Sequence, residues 1–149
     1  MRRFFIYSMP RSGSAWLSNF LTYGDSFCKH EPLAEGVMKF ADSPVSGAVD
    51  TGAAFVGYLP PEGTRIFHLS RDIWEVQKSL MRIGLPTIDL SGYLTGFEYG
   101  RLFDVGYLEN LWGEVTGLPF NKERAEMLIE MNVQRDVEKL RKRLCLGQQ

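Results

Sequence analysis

Phe4-Phe5-Ile6-Tyr7-Ser8-Met9 is an aromatic and β-branched run without polar alternation, the pattern of a strand buried on both faces in a parallel sheet. Pro10 to Ser14 break the run, and Trp16, Leu17, Phe20 and Leu21 then recur at helical spacing until Gly24 supplies a stop. Arg65-Ile66-Phe67-His68-Leu69-Ser70 repeats the arrangement. It predicts a strand followed by a helix from about Ile73, with Asp72 and Glu75 spaced as a capping box and Gly84 and Pro86 closing the unit. Between these units Val45–Asp50 reads as a further strand and Ala54-Phe55-Val56 as a connecting helix. Arg101-Leu102-Phe103-Asp104-Val105 reads as a fourth strand, with short helices near Ser91 to Tyr99 before it and Leu108 to Val115 after it. Asn121 is placed as the N-cap of a last helix, with Ala125, Leu128, Ile129, Val133, Val137, Leu140 and Leu144 along one face. Alternating strands and helices predict an α/β fold of three layers, with a mostly parallel sheet of four or five strands and Phe4–Met9 at its centre.

Composition narrows the class. At 149 residues, 44% hydrophobic and 13% aromatic, the chain suits one domain with a sizeable core, and no repeat or linker marks a second. Seventeen Lys and Arg against eighteen Asp and Glu give a net charge of −1, so no global field draws the protein to nucleic acid or anionic lipid. Any anion site has to be built locally. Phe4–Met9 is too short for a signal-peptide core and no other apolar stretch reaches bilayer length, so a soluble, cytoplasmic protein is expected. Cys28 and Cys145 lie far apart with no clustered histidines, which supports neither a disulfide framework nor a zinc site. Arg141-Lys142-Arg143 falls at a predicted helix end, where cations complement the helix dipole, and gives no ground for a nucleic-acid partner.

The segment Pro10-Arg11-Ser12-Gly13-Ser14-Ala15-Trp16 stands where the buried strand hands over to a helix, so backbone amides converge there on a point that favours an anion. Gly13 permits close approach of the backbone, Ser12 and Ser14 offer hydroxyls, and Arg11 adds fixed positive charge. The plainer reading is a tight Gly-Ser turn with Arg11 in solvent. Without the terminal Gly-Lys-Ser/Thr of a Walker A sequence, an ordinary ATP or GTP hydrolase is disfavoured.

With Leu17 added, this segment resembles the phosphosulfate loop of sulfotransferases, Pro-Lys/Arg-Ser-Gly-Thr/Ser-Thr/Ser-Trp-Leu. Arg71 closing the Arg65–Ser70 strand, with Ser79 eight positions later, is similar to that family's signature for the cofactor's 3′-phosphate. Glu31-Pro32-Leu33 is similar to the Glu-Pro-Leu of carbohydrate-type members. The resemblance implies a P-loop-like fold, with Arg65–Ser70 and Arg101–Val105 flanking Phe4–Met9 and Val45–Asp50 outside Arg65–Ser70. It also implies transfer of a sulfuryl group from 3′-phosphoadenosine 5′-phosphosulfate to a hydroxyl or amine of a small-molecule or carbohydrate acceptor.

Carried over residue by residue, Arg11, Ser12, Gly13 and Ser14 cradle the 5′-phosphate, Trp16 stands by the adenine, and Arg71 and Ser79 read the 3′-phosphate; the plainer readings are Trp16 packing the first helix against the sheet, Arg71 in a salt bridge to Asp72 or Glu75, and Ser79 as a small helix-packing residue. Arg11 also stabilises the leaving group. Ala15 departs from the pattern, since the family has a hydroxyl residue there, and no late Gly-rich basic segment is found. Glu31 is the first candidate for the base, held extended by Pro32; His30 and Asp50 follow, whereas His68 reads as a satisfied core residue. A non-catalytic binder of adenosine bisphosphate and a diverged small P-loop kinase remain as alternatives, and homo-oligomerisation is left open.

Overall fold

A computed structural model of the chain describes residues 1–36, 38–86 and 96–131. It is an α/β fold around a five-stranded, all-parallel sheet. The strands are β1 (Arg2–Ser8), β2 (Ser26–His30), β3 (Val45–Asp50), β4 (Arg65–Ser70) and β5 (Phe97–Glu98), in the spatial order β2-β3-β1-β4-β5. The helices are α1 (Ser14–Phe20), α2 (Ile73–Arg82), α3 (Val105–Thr116) and α4 (Lys122–Met131). β1 is central because its side chains have apolar cover on both faces. Phe4 and Ile6 join the larger core with Trp16, Leu17 and Phe20 of α1 and with residues of α3 and α4. Phe5 and Tyr7 point the other way, toward Ala48, Ala53 and Tyr58, while Met9 meets Val76 and Leu80 of α2. None of the described helices is long and apolar enough to cross a membrane.

The register pairs Phe4 with Gly47 of β3. A Cβ at Gly47 would fall 2.4 Å from the Phe4 ring, so only glycine lets this ring lie flat across the neighbouring strand. Gly47→Ala is therefore expected to lower stability by about 2 kcal/mol, the scale of overpacking a closed core. Urea denaturation measures it; an unchanged midpoint would mean that the ring simply moves aside.

Two strand and two helix expectations need correction. Val45–Asp50 does not lie outside Arg65–Ser70 but pairs directly with β1, on the side opposite β4. All six of its positions are buried, which requires a neighbour at each edge, and β2 supplies the second. Arg101–Val105 is not a strand. Residues 99–101 form a 3₁₀ turn, and the Asp104 carboxylate accepts from the Tyr107 N–H at 2.7 Å, capping α3 and committing Val105 to a helix. Ala54-Phe55-Val56 lies in consecutive turns rather than a helix. Phe97 and Glu98, expected near a helix end, pair with Leu69 and Ser70 as β5; the rest of that expected helix, and Val133 onward in the last one, fall outside the described residues. Asn121 caps α4 as expected, its Oδ1 accepting from the Arg124 N–H at 2.9 Å.

Candidate functional site

Because every strand runs the same way, the loops leaving β1, β2, β3 and β4 all emerge at one edge of the sheet, where ligands of parallel α/β proteins bind. A cleft of about 390 Å³ opens there, within the range of small-ligand sites. Arg11, Gly13, Ser14 and Ala15 form one wall, Arg71, Ser79, Arg82 and Ile83 the other, and His30 and Tyr99 complete it.

The loop after β1 is held in a costly shape. Gly13 has φ 82 and Arg11 φ 60, the latter in a left-handed region that a side-chain-bearing residue enters only when its surroundings impose it. Those surroundings are two long-range bonds. Arg11 Nε donates to Ser79 Oγ at 2.9 Å, and Arg71 Nη1 donates to the Arg11 carbonyl at 2.5 Å. Arg71 also lies over the Tyr99 ring, 4.2 Å from its centroid. The two segments singled out in the sequence, 68 residues apart at Arg11 and Ser79, thus meet in one cleft.

The lining carries three guanidinium groups. The nearby carboxylates are Glu75, 3.9 Å from Arg71 Nη2 and shared with Lys78 Nζ at 3.3 Å, and Glu31, 3.5 Å from His30 Nε2. The cleft therefore keeps an excess of positive charge although the whole chain carries −1. With guanidinium groups, a hydroxyl at Ser79 and a glycine in the loop, this donor set suits an anionic ligand.

The chain matches no family model, no curated protein and no solved structure.

The base candidates separate clearly. His30, at the end of β2, lines the cleft with Nε2 3.0 Å from Ser14 Oγ, a hydrogen bond whose donor follows the imidazole tautomer. Glu31 is outside the lining; its Oε1 accepts from the Thr51 N–H at 3.1 Å and lies 3.5 Å from His30 Nε2. Pro32 does not hold Glu31 extended: the residue has φ 51 and ψ 50, against the pre-proline preference, with its N–H donating to the Val49 carbonyl at 2.9 Å and its own carbonyl accepting from the Ala34 N–H at 3.2 Å. Asp50 is buried and accepts from the N–H groups of Leu33, Gly52 and Ala53, which makes it the clasp of two loops rather than a base.

Two cofactor expectations also change. The Trp16 indole is 1% exposed, stacks on Phe20 and donates to the Leu128 carbonyl at 3.1 Å, so it packs α1 into the core and presents no face to an adenine. Ser12 is fully buried, donates to the Pro10 carbonyl at 3.4 Å and does not line the cleft. His68 is half-buried against Tyr7, and burial lowers its pKa, but its Nδ1 has no hydrogen-bond partner among the described residues, contrary to a satisfied core histidine. Cys28 is buried, which pushes its thiol pKa far up and keeps it protonated and unreactive.

Arg82, Ile83 and Tyr99 were not anticipated from the sequence. Arg82 had a usable signal, since it stands three residues after Ser79 on one helix and so shares its face. Tyr99 had none: it reaches the cleft only through the pairing of β5 with β4.

Proposed function

We propose that the protein is a sulfotransferase, moving a sulfuryl group from 3′-phosphoadenosine 5′-phosphosulfate to a hydroxyl or amine of a small-molecule or carbohydrate acceptor. The observation that carries this reading is the Arg11–Ser79 contact at 2.9 Å, which joins the two motif segments in a cleft with Arg71 beside them. When bound, the nucleotide supplies the sulfuryl group and the phosphate that departs. Arg11 and the backbone N–H groups of Gly13 and Ser14 hold the negative charge that grows on that phosphate. Arg71 and Ser79 bind the 3′-phosphate. His30 takes the acceptor's proton at Nε2, and Glu31, braced on the Thr51 N–H with Oε1 3.5 Å from that nitrogen, stabilises the imidazolium that forms.

Ala15 gives the cleft wall a methyl group where the resembled loop has a hydroxyl, which favours a second reading, a binder of adenosine bisphosphate without turnover. Calorimetry with adenosine 3′,5′-bisphosphate, adenosine 5′-phosphate and ATP with magnesium tests the shared nucleotide chemistry. The bisphosphate should bind at least about tenfold more tightly than the monophosphate. Equal affinity for all three overturns both readings, and a preference for ATP favours a kinase. Product formation on hydroxyl and amine acceptors then separates enzyme from binder.

Arg71→Ala should cost the bisphosphate about 2 kcal/mol more than it costs the monophosphate, the scale of a charge-assisted hydrogen bond. An equal loss for both would mean that Arg71 acts only by bracing the Arg11 carbonyl.

A further inference from the structure

We infer that Arg82 is a specificity-determining residue of this cleft, a third cation that, with Arg71, selects ligands carrying a second phosphate. The inference rests on the nucleotide reading above and extends it to a residue that no motif marks. Ser79 and Arg82 stand one helical turn apart on α2, and both line the cleft. Ser79 is already tied to Arg11, and Arg71 is engaged with the Arg11 carbonyl, Glu75 and the Tyr99 ring. Arg82, by contrast, is exposed and has no hydrogen-bond or ion-pair partner among the described residues. Among the described residues, nothing occupies its fork.

Charge points the same way. A phosphomonoester carries about 1.5 to 2 negative charges at neutral pH, so a nucleotide with two of them brings roughly twice that charge. Arg11 and Arg71 alone leave part of it unmatched, the more so because Glu75 offsets some of Arg71. Arg82 supplies the missing cation on the wall where Ser79 stands. A cation in the last turn of α2 also complements the helix dipole, but that role is indifferent to which nucleotide is present.

The test is the bisphosphate-to-monophosphate affinity ratio, measured by calorimetry for the parent, Arg82→Ala and Arg82→Lys, with unliganded melting temperatures recorded alongside. Arg82→Ala should lower bisphosphate affinity about tenfold and monophosphate affinity less than about twofold, while Arg82→Lys, which keeps charge but not the fork, falls between. A parent that discriminates and an Arg82→Ala variant that keeps the parent's ratio overturn the role of Arg82 alone. A drop in melting temperature with an unchanged ratio does the same and leaves only the helix-end role. A parent that does not discriminate overturns the nucleotide reading and this inference together.

Discussion

If the protein transfers sulfuryl groups as proposed, His30→Ala is expected to lower turnover about a thousandfold while leaving nucleotide affinity nearly unchanged, the signature of a lost proton acceptor. The side chain stands at the C-terminal end of β2, partly exposed to the cleft, and its Nε2 is within hydrogen-bond reach of Ser14 on the loop that follows β1. An acceptor hydroxyl that displaced this contact would find the imidazole already directed inward. Glu31 has a different situation. Its carboxylate is anchored by the Thr51 N–H and touches the same ring nitrogen at 3.5 Å, so Glu31→Gln, which keeps shape and hydrogen bonding, should cost only about tenfold. Steady-state kinetics on both variants decides the assignment. A large loss in Glu31→Gln with little in His30→Ala would exchange the two roles.

Arg11→Ala should cut turnover by a few hundredfold, with a smaller loss of nucleotide affinity, because a cation beside a departing phosphate gains most in the transition state. Arg11→Lys should recover part of the rate, since charge returns without the fork. Backbone strain gives this position a second signature. At φ 60 an arginine is held in a conformation that costs an L-residue roughly 1–2 kcal/mol. Arg11→Gly should therefore raise the free energy of unfolding by about 1 kcal/mol, less whatever the Ser79 contact contributed, while turnover falls as in Arg11→Ala. Equal rates in the parent and Arg11→Ala would remove Arg11 from the chemistry.

The strands that were readable are those whose inward positions are also hydrophobic. Phe4 to Tyr7 announce β1 because burial on two faces leaves little room for polar residues; β4 was legible from its apolar Ile66, Phe67 and Leu69, although only Leu69 is fully buried. β2 was hidden for the opposite reason. Its inward residues are Ser26 and Cys28, small and weakly apolar, whereas Phe27 is 41% exposed, so the hydrophobic pattern runs against the burial pattern. Ser26 is tolerated inside because its hydroxyl donates to the Leu21 carbonyl at 2.7 Å. β3 was misplaced because the P-loop resemblance gave its slot beside β1 to Arg101–Val105, which forms a turn and the start of α3 instead; with β2 at its outer edge all six β3 positions are buried. The site fared better, because Arg11, Ser14, Arg71 and Ser79 occupy strand-to-helix junctions that a parallel sheet gathers on one edge. Trp16 could not be settled because an indole after a phosphate-type loop looks the same in sequence whether it faces a ligand or the core; the structure puts it in the core.

The position of β1 also governs how the chain is made. Phe4 pairs with Gly47 on one side and with Arg65 on the other, so the middle strand is synthesised well before either neighbour exists. Until the residues around Arg65 have left the ribosome, Phe4, Phe5 and Ile6 have at least one unpaired backbone edge beside large apolar side chains, the form of segment most prone to mispairing. The element that ends most deeply protected is thus the one that spends longest exposed during translation, and assembly of the sheet waits on contacts distant in sequence.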